Sequence, residues 1–505
     1  MGCLAWTTLL VVVLAVALGV FVVHFEEEVK QGLQMSNGYG AKIGCSVVFV
    51  AGRSLTSALE AEFVFPPIRL FSRLDVEPES KCVVATSRFF PGLEKRACWK
   101  SPRLGCALEH ADARPDGAAA LSKGFPAAQT TSQRSDAFPL GDSLDHKAVA
   151  KAQANIDIER LRRIADTHVD DARLHTRALL VIKDGQIIYE RYGDGCNATT
   201  RLLGWSMTKS WLNILLGRRV HEGGIPQGLD AQLGTYMPEY AHDDRGKLRL
   251  EEVLRMIDGL DLDEYYTPMA DTTKMLFTDS SLVQAHLGFR APQNASKCFR
   301  YSSHASNVAS KFLQGTFATH KEYLRFPTEA LFEKLGMHSA VMETDPSGTF
   351  IGSSFGWATA RDWARFGTFL LQDGVWNNTR LLPENWMRFS TSPTPTSRGV
   401  HGAHFWGNLG PALGPDESES DLATCDERFS SRVNPRKDWY HEAFPRGTFV
   451  AHGFEEQAVV VAPKSRVILV RLGQIKPLVV SWEQVDFYRS LLDAAGAPHN
   501  ESQVV

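Results

Sequence analysis

A serine and a lysine have the spacing and the position that serine acyl transfer requires. The chain contains a single Ser-x-x-Lys sequence, Ser206-Met207-Thr208-Lys209. Gly204-Trp205 interrupts the preceding segment, and the apolar spacing from Ser206 to Val220 predicts a helix that begins at the serine. Residues three apart share a helix face, so the Lys209 amine can reach the Ser206 hydroxyl. A lysine with a lowered pKa can remove the serine proton, and N–H groups at a helix start favour an oxyanion.

Two later segments are weaker candidates for the same site. Tyr301-Ser302-Ser303 precedes an apparent helix, and a tyrosine hydroxyl can relay a proton when a neighbouring ammonium stabilises its phenolate. Gly453-Phe454-Glu455-Glu456-Gln457 comes just before an apolar strand, where a backbone N–H could be donated to the oxyanion. Taken alone, each segment is better explained by structure, the first as an ordinary half-buried aromatic residue and the second as a plain strand entry.

The amino terminus predicts a membrane anchor. Residues 4–23 are apolar and uncharged, which is long enough to span a bilayer. The stretch is longer than the apolar part of a cleaved signal peptide and has no basic start, so we favour an uncleaved signal anchor over a cleavable signal. The flank at 26–28 is acidic and has no Lys or Arg to hold it in the cytoplasm, so we expect the rest of the chain in the lumen or outside the cell. Position 6 is Trp6, so the myristoylation pattern fails.

Sequons and cysteines agree with a secretory route. Asparagine glycosylation sequons begin at Asn197, Asn294, Asn377 and Asn500. The cysteines after the apolar segment are Cys45, Cys82, Cys98, Cys106, Cys196, Cys298 and Cys425. Those between 45 and 106 suggest one or two disulfides in an oxidising compartment, with the pairing open and at least one thiol left unpaired or intermolecular. A cytosolic protein with buried thiols is the alternative.

Composition indicates a folded protein that does not bind nucleic acid. The chain of 505 residues has 44% hydrophobic and 22% charged residues and a net charge of −4. It is therefore globular and large enough for more than one domain-sized unit. No basic stripe or aromatic–basic interleaving is present, so nucleic acid is not an expected partner.

Composition shifts divide the chain into five parts. The predicted parts are an anchor (1–24), a Cys-rich extension of short strands (25–110), a linker (111–142), a catalytic domain (143–490) and a tail (491–505).

The periodicity of the catalytic region predicts an α+β fold. A helix capped by Ser143 is expected to run to about Asp166. A hairpin of strands 178–182 and 187–192 precedes the Ser206 helix, residues 225–345 are mainly helical, and a second hairpin pairs 458–462 with 467–472. Hairpins at both ends imply one antiparallel sheet built from both ends of the region, flanked by helices and a helical lobe.

The ordered set of motifs resembles a known family. The motifs resemble those of the serine β-lactamase and penicillin-binding-protein superfamily. Their order is Ser-x-x-Lys, then Tyr-Ser-Ser about ninety residues later, then Gly-x-x-x-Gln before a terminal hairpin. The longer runs at 203–210, 349–354, 358–367 and 370–376 resemble the class C-like branch that contains 6-aminohexanoate-dimer hydrolase. The resemblance covers roughly residues 140–475.

The resemblance implies a β-lactamase/transpeptidase-like fold and a two-step acyl-enzyme mechanism. Ser206 would attack a carbonyl, and Lys209 and Tyr301 would share the proton transfers. Ser303 or Asn307 would take the supporting position of the family's Tyr-x-Asn motif. The backbone N–H of Ser206 and one from the region of Gly453 and Gln457 would form the oxyanion hole. Neither a metal nor an organic cofactor is implied.

Two departures bear on the substrate. The family's third motif usually carries Lys or His with Gly, whereas the matching stretch is Phe454-Glu455-Glu456, with His452 two residues away. The matching stretch therefore lacks the cation that would bind a substrate carboxylate. This absence argues against β-lactam hydrolysis. The second departure, Ser303 in place of Asn, agrees with the esterase-like branch. Residues 263–266 are candidates for the pocket.

The sequence thus predicts a serine hydrolase for a small ester or amide. A catalytically weak, membrane-anchored binding protein on the same fold is the alternative, suggested by the altered third motif. A peptidoglycan peptidase is disfavoured, because sequons and an anchor suggest a eukaryotic lumen. The substrate and the oligomeric state are not predicted.

Overall fold

The computed structural model describes residues 26–63, 66–110, 135–193, 195–259, 264, 267, 270–282, 298–411, 439–475 and 482–498. The predicted anchor, most of the predicted linker, Cys425 and the sequons at Asn294 and Asn500 lie outside these residues. Among the described residues, no helix is both long and apolar enough to cross a membrane.

The secondary structure alternates short strands with many helices. The strands are β1 Ser72–Glu77, β2 Cys82–Ser87, β3 Glu94–Ser101, β4 Gly105–Leu108, β5 Thr176–Lys183, β6 Gln186–Tyr192, β7 Leu202–Leu203, β8 Val341–Met342, β9 Gly356–Ala358, β10 Val375–Trp376, β11 Thr379–Arg380, β12 Trp406–Gly407, β13 Phe449–Gly453, β14 Gln457–Ala462 and β15 Val467–Gly473. The helices are α1 Glu26–Phe49, α2 Leu55–Ala61, α3 Pro66–Phe71, α4 His146–Gln153, α5 Ile158–Asp170, α6 Thr208–His221, α7 Leu233–Tyr236, α8 Leu250–Leu254, α9 Asp271–Phe277, α10 Ser303–Gly315, α11 His320–Pro327, α12 Glu333–Leu335, α13 Ala360–Leu371, α14 Trp386–Thr391, α15 Trp439–Ala443 and α16 Trp482–Ala494.

A six-stranded antiparallel sheet forms the centre of the predicted catalytic domain, residues 143–490, which is called the catalytic region below. Its order is β12-β13-β14-β15-β5-β6. The two predicted hairpins are present, and they meet where β15 pairs with β5, with Val470 opposite Leu180 and Ile468 opposite Ile182. Strands from both ends of the region therefore share one sheet, and the predicted α+β class is confirmed.

Both faces of this sheet are covered. Alternate residues of the central strands belong to two separate buried clusters, with Leu180 and Ile468 in one and Leu179 and Leu469 in the other. This alternation follows from the two-residue period of a strand. The first cluster continues into α6 and α13, and the second includes residues of α5 and α16. Because both faces are buried, the strands are almost continuously apolar.

The residues before 110 form an N-terminal module, defined here as residues 26–108. Helix α1 packs on the four-stranded antiparallel sheet β1-β2-β3-β4. Disulfides join Cys45 of α1 to Cys106 of β4 and Cys82 of β2 to Cys98 of β3.

The module differs from its prediction at residues 45–50. The sequence predicted short strands in the extension 25–110, including this apolar run, whereas the run forms the end of α1 and the turn after it. Its valines favour a strand locally, but packing decides the outcome. Gly40 and Gly44 lie against the side chains of Leu74 and Val83, so the small residues of α1 allow the helix to approach the sheet closely.

The module shares its core with the catalytic region. Tyr39 of α1 packs edge-on against Phe277 of α9, with ring centroids 4.9 Å apart. Lys42 of α1 forms a fully buried ion pair with Glu343, and the Ser46 hydroxyl and the Cys106 N–H donate to the same carboxylate at 2.8 and 2.7 Å. These contacts dock the helix on the catalytic region.

Three boundaries also differ from expectation. The helix predicted from Ser143 is two helices, α4 and α5, capped by Asp145 and Asp157, whose side chains accept from N–H groups of the first turns. The end of the predicted linker, residues 135–142, is packed, because the Arg365 guanidinium donates to Gly141 O at 2.6 Å. Helix α16 continues to Ala494, four residues beyond the predicted domain end.

Candidate active site

Ser206 lies in a tight turn at the start of the central helix. Residues 205–207 form one turn of 3₁₀ helix that leads into α6. The turn is held to β9, because Gly204 N donates to Gly356 O at 2.8 Å and the Thr208 hydroxyl accepts from Gly356 N at 2.8 Å. Trp205 has a φ of +46°, a left-handed conformation that costs energy for a side chain of this size. The surrounding contacts thus impose the geometry at the serine.

Lys209 points at Ser206. The Lys209 ammonium donates to Ser206 Oγ at 3.1 Å, to Ser303 Oγ at 3.0 Å and to the Ser353 carbonyl at 3.0 Å. Lys209 is 2% exposed. The predicted proximity of the amine and the alcohol is present, one helical turn apart.

Burial makes this lysine an easier proton donor than a free one. Desolvation lowers the pKa of Lys209 to about 8, and the Glu264 carboxylate opposes that shift. The backbone carbonyl of Lys209 is also held in place, because His404 Nδ1 forms a hydrogen bond with Lys209 O at 3.0 Å. Burial and the nearby ammonium lower the pKa of His404 to about 3, so that imidazole stays neutral.

Tyr301 flanks the lysine. The Lys209 nitrogen lies 4.9 Å from the centroid of the half-buried Tyr301 ring. Trp406 and His401 pack on the same ring, with centroids 5.0 and 6.0 Å away. The ammonium therefore faces the ring of Tyr301, and the proton relay through its hydroxyl stays a prediction.

Ser303 links Lys209 to a carboxylate. Ser303 is the first residue of α10, and its hydroxyl contacts the Lys209 nitrogen on one side. On the other side, Ser303 Oγ donates to Glu264 Oε1 at 2.5 Å and Ser303 N donates to Glu264 Oε2 at 2.7 Å. Of the two supporting candidates on α10, this is the one that touches the lysine.

Asn307 acts one contact further out. It is fully buried on α10, and its Oδ1 accepts from Ser353 N at 3.1 Å. Because the Ser353 carbonyl accepts from Lys209, Asn307 fixes the position of a lysine partner.

Strand β13 passes beside the serine turn at Gly453. A Cβ at Gly453 would overlap the carbonyl oxygen of Gly204, so only glycine permits this approach. The Gln457 side chain is used elsewhere. It donates to Gly473 O at 2.5 Å and accepts from Gly473 N at 3.0 Å, which ties the β13–β14 turn to β15. Of the two predicted residues here, Gly453 is the one whose backbone lies against Gly204.

Ser206, Lys209, Tyr301 and Ser303 thus form one connected group. A nucleophile beside an amine whose pKa is about 8, with a phenol next to that amine, is suited to acyl transfer. Within the described residues, no group of His, Cys, Asp and Glu has an arrangement that could hold a metal ion.

Comparison with known proteins identifies the family. The family model described as Beta-lactamase matches residues 161–490 of the chain. The chain belongs to the beta-lactamase family. The resemblance inferred from the sequence motifs is therefore confirmed.

Solved structures are similar to this chain over about two thirds of its length, and the first of those named here supports the fold. A candidate 6-aminohexanoate-dimer hydrolase from Bacillus anthracis has a TM-score of 0.50 at 19% identity, over 66% of this chain and 81% of that chain. A penicillin-binding-protein homologue from Caulobacter crescentus has a TM-score of 0.45 at 14% identity, over 67% and 97% of the two chains. A class C beta-lactamase in complex with cefoxitin has a TM-score of 0.47 at 12% identity, over 69% and 99%.

The segment that the sequence interpretation matched to the third motif of the beta-lactamase family lies after β13. Phe454-Glu455-Glu456 forms the turn between β13 and β14. The strand beside the serine ends in His452-Gly453. Glu455 and Glu456 have φ values of +61° and +63°, and the buried Arg471 guanidinium donates to both of their carbonyls, at 3.1 and 2.8 Å.

The two glutamates of this turn have different surroundings. Burial raises the pKa of Glu455 to about 8, and Trp205 Nε1 donates to its Oε2 at 3.2 Å, directly behind the nucleophile. Burial also favours the neutral form of Glu456, but His452, 3.4 Å away, outweighs it and lowers the pKa of Glu456. His452 therefore already faces a carboxylate, and Tyr440 contacts its other ring nitrogen at 2.8 Å.

The sequence missed two residues of the beta-lactamase-like site. Ser353 contacts Lys209 through its carbonyl, and Glu264 contacts Ser303. Ser353 belongs to a run recognised for its family likeness, so a signal was present. Glu264 was named only within the candidate pocket segment 263–266, because an acidic residue in a loop has no spacing that ties it to α10, which begins 39 residues later.

Proposed function

We propose that this protein is a serine hydrolase that cleaves a small carboxylic ester or amide through an acyl-enzyme on Ser206. The observation that carries the proposal is the 3.1 Å contact between the Lys209 nitrogen and Ser206 Oγ, in a site where burial lowers the lysine pKa to about 8. An amine with this pKa is partly neutral near pH 7, so it can accept the serine proton.

Acylation follows from these contacts. The neutral Lys209 amine takes the proton from Ser206 Oγ while that oxygen bonds to the substrate carbonyl carbon. The resulting oxyanion is held by the Ser206 N–H and a second N–H from the β13–β14 region. The proton then passes by way of Tyr301 to the leaving alcohol or amine as its bond to carbon breaks. The products of this half-reaction are the acyl-enzyme and the leaving group.

Deacylation repeats the steps with water. Lys209 and Tyr301 take a proton from the water as its oxygen attacks the acyl carbon. Ser206 Oγ then leaves and regains a proton, which releases the carboxylic acid. Each proton removed is returned within the cycle, so no external acid, metal or cofactor is required by this route.

A fluorophosphonate probe tests the proposal. Such probes phosphonylate activated serines, so we expect the wild-type protein to be labelled and Ser206→Ala to be unlabelled. Ser210→Ala, one turn further along α6 with its hydroxyl bonded to His404 O at 2.8 Å, is the matched control and should still be labelled. A folded wild-type protein that takes no label would instead favour a binding role.

We also propose that residues 4–23 anchor the protein with its catalytic region in the lumen or outside the cell. The disulfides Cys45–Cys106 and Cys82–Cys98 support this proposal, because such bonds persist in oxidising compartments. The sequon asparagines Asn197 and Asn377 are exposed, as acceptors of glycans must be.

A further inference from the structure

A continuous path of hydrogen bonds leads from the nucleophile to a carboxylate. Ser206 Oγ contacts the Lys209 nitrogen at 3.1 Å, that nitrogen contacts Ser303 Oγ at 3.0 Å, and Ser303 Oγ contacts Glu264 Oε1 at 2.5 Å. Glu264 comes from the segment between α8 and α9, so it reaches the site from a different part of the fold than the other three residues. Sequence motifs assign it no role.

The direction of these bonds is fixed by proton count. A serine hydroxyl has one proton, and a carboxylate can only accept, so Ser303 Oγ must donate to Glu264. Ser303 Oγ then offers only lone pairs to Lys209, which makes the lysine the donor. This arrangement stabilises the ammonium form of Lys209 and disfavours the neutral amine.

Glu264 is held in place by more than Ser303 Oγ. Ser303 N donates to its Oε2 at 2.7 Å, and the Thr272 hydroxyl of α9 donates to the same oxygen at 3.1 Å. A carboxylate at the first residue of α10 is also favoured by the helix dipole. The start of α10 therefore stabilises the negative charge of Glu264. The Ser303 hydroxyl links that carboxylate to the Lys209 ammonium.

We propose that Glu264 is a positioning residue that acts through Ser303 to hold the Lys209 ammonium, and so sets the lower limit of the pH range in which Lys209 can act as a base. The proposal rests on the proposed function. It adds to that function a residue that sets the pKa of the catalytic base Lys209.

Other titratable groups also face Lys209. Tyr301 precedes α10, and His401 and His404 come from the segment before β12. Burial, as well as the charges of His404, Arg255 and Lys209, keeps the pKa of His401 well below its usual range, and His404 is neutral for similar reasons. Among these groups, Glu264 is the carboxylate that faces the lysine and opposes the lowering of its pKa.

The test is the pH profile of fluorophosphonate acylation by the full-length protein. For Glu264→Gln, which keeps the shape but removes the charge, we expect the midpoint of the rising limb to move to lower pH by about one unit. Relative to its own plateau, the variant would then react about eightfold faster than wild type at pH 6.5. A purely structural role for Glu264 would lower the rate without moving the midpoint.

Two variants separate charge from shape. Glu264→Asp keeps the charge and should keep the wild-type midpoint. Glu329→Gln makes the same change at an exposed glutamate paired with Arg325, and should leave the whole profile unchanged. If Glu264→Gln does not fold, Ser303→Ala breaks the same link while the carboxylate remains, and the same downward movement is expected.

The outcomes are distinct for the two proposals. A labelled wild type whose midpoint is unmoved in Glu264→Gln or, failing that, in Ser303→Ala overturns this inference and leaves the hydrolase intact. A midpoint that also moves in Glu264→Asp shows that shape, not charge, is responsible, and overturns it too. An unlabelled, folded wild type overturns both.

Discussion

At the scale of the residue, two buried lysines show that the partners of a side chain decide its chemistry. Desolvation lowers the pKa of both Lys42 and Lys209. Lys42 faces the Glu343 carboxylate directly, which holds its proton and makes it structural. Lys209 faces three uncharged oxygens, with its nearest carboxylate one hydroxyl away. Lys42 therefore has a carboxylate in direct contact, whereas the three oxygens that contact Lys209 belong to hydroxyl and carbonyl groups.

The pH dependence of acylation follows from the Lys209 pKa. The active form is the neutral amine, so the acylation rate should rise with pH and level off above about 8. At pH 7 the rate is expected at about a tenth of the plateau. Lys209→Met, which fills the volume without a titratable group, should lower the plateau by about 10²–10⁴-fold and remove the inflection.

The measurement is the rate of labelling between pH 6 and pH 10, with folding checked by circular dichroism at each end. A wild-type profile that is flat across pH 8 would show that Lys209 does not supply the base. Retention of the inflection in Lys209→Met would assign it to another group.

At the scale of the element, helix α1 depends on contacts that are distant in sequence. Its buried surface includes the polar side chains Asn37, Lys42 and Ser46. Each of them has a hydrogen-bond partner, and Lys42 and Ser46 converge on Glu343, beside β8. A helix with this face is stable only when those partners are in place.

Glu343→Gln tests this dependence. The substitution leaves the Lys42 ammonium buried without a counter-ion, so we expect the free energy of unfolding to fall by roughly 3–5 kcal/mol, measured by chemical denaturation. Adding Lys42→Met to Glu343→Gln should recover part of the loss, because the uncompensated charge is removed.

Glu333→Gln is the matched control at the same junction. Glu333 lies 3.9 Å from Arg103 of the module, and its side chain is 45% exposed. Its loss should cost about 1 kcal/mol or less. Equal losses in the two variants would contradict a special role for the buried pair.

At the scale of the whole molecule, the N-terminal module is part of the catalytic unit rather than a separate appendage. Its core residues belong to the same buried cluster as those of α6 and α10. Phe277, which meets Tyr39 of α1, ends the helix α9 that also supplies Thr272 to Glu264. The module therefore supports the wall of the site.

The proposed luminal orientation predicts glycans on the exposed sequons. Expressed in a eukaryotic secretory system, the full-length protein should lose apparent mass on treatment with an N-glycosidase. Asn197→Gln and Asn377→Gln should each remove one glycan, whereas Asn378→Gln, at an exposed neighbour that is not an acceptor, should remove none. Unchanged gel mobility of the wild type after digestion would argue against a secretory location.

The sequence was most informative where local signals and final structure agree. Both hairpins of the central sheet were predicted, because alternation and turn residues act over a few positions. The Ser206–Lys209 contact was predicted from helix geometry alone. Family likeness then placed Tyr301 and Ser303 near them, at a sequence distance that no local rule spans.

The remaining features depend on packing that no short segment specifies. Residues 45–50 carry a strand-like pattern but lie mostly in α1. Their partners are the sheet β1–β4 and the Glu343 carboxylate, which are distant in sequence. The cap of α4 is Asp145 rather than Ser143. Both residue types cap helices about equally well, so the sequence did not decide between them. Glu264 was not predicted as a partner of Ser303, since its place is set by the loop that carries it.

The buried pair Lys42–Glu343 also bears on biosynthesis. Its members are 301 positions apart, and a ribosome adds about 5–20 residues per second. Helix α1 must therefore wait roughly 15–60 seconds for the residue that neutralises Lys42. During that interval its polar face has no final partner, so the nascent chain is expected to rely on a chaperone until Glu343 has been synthesised.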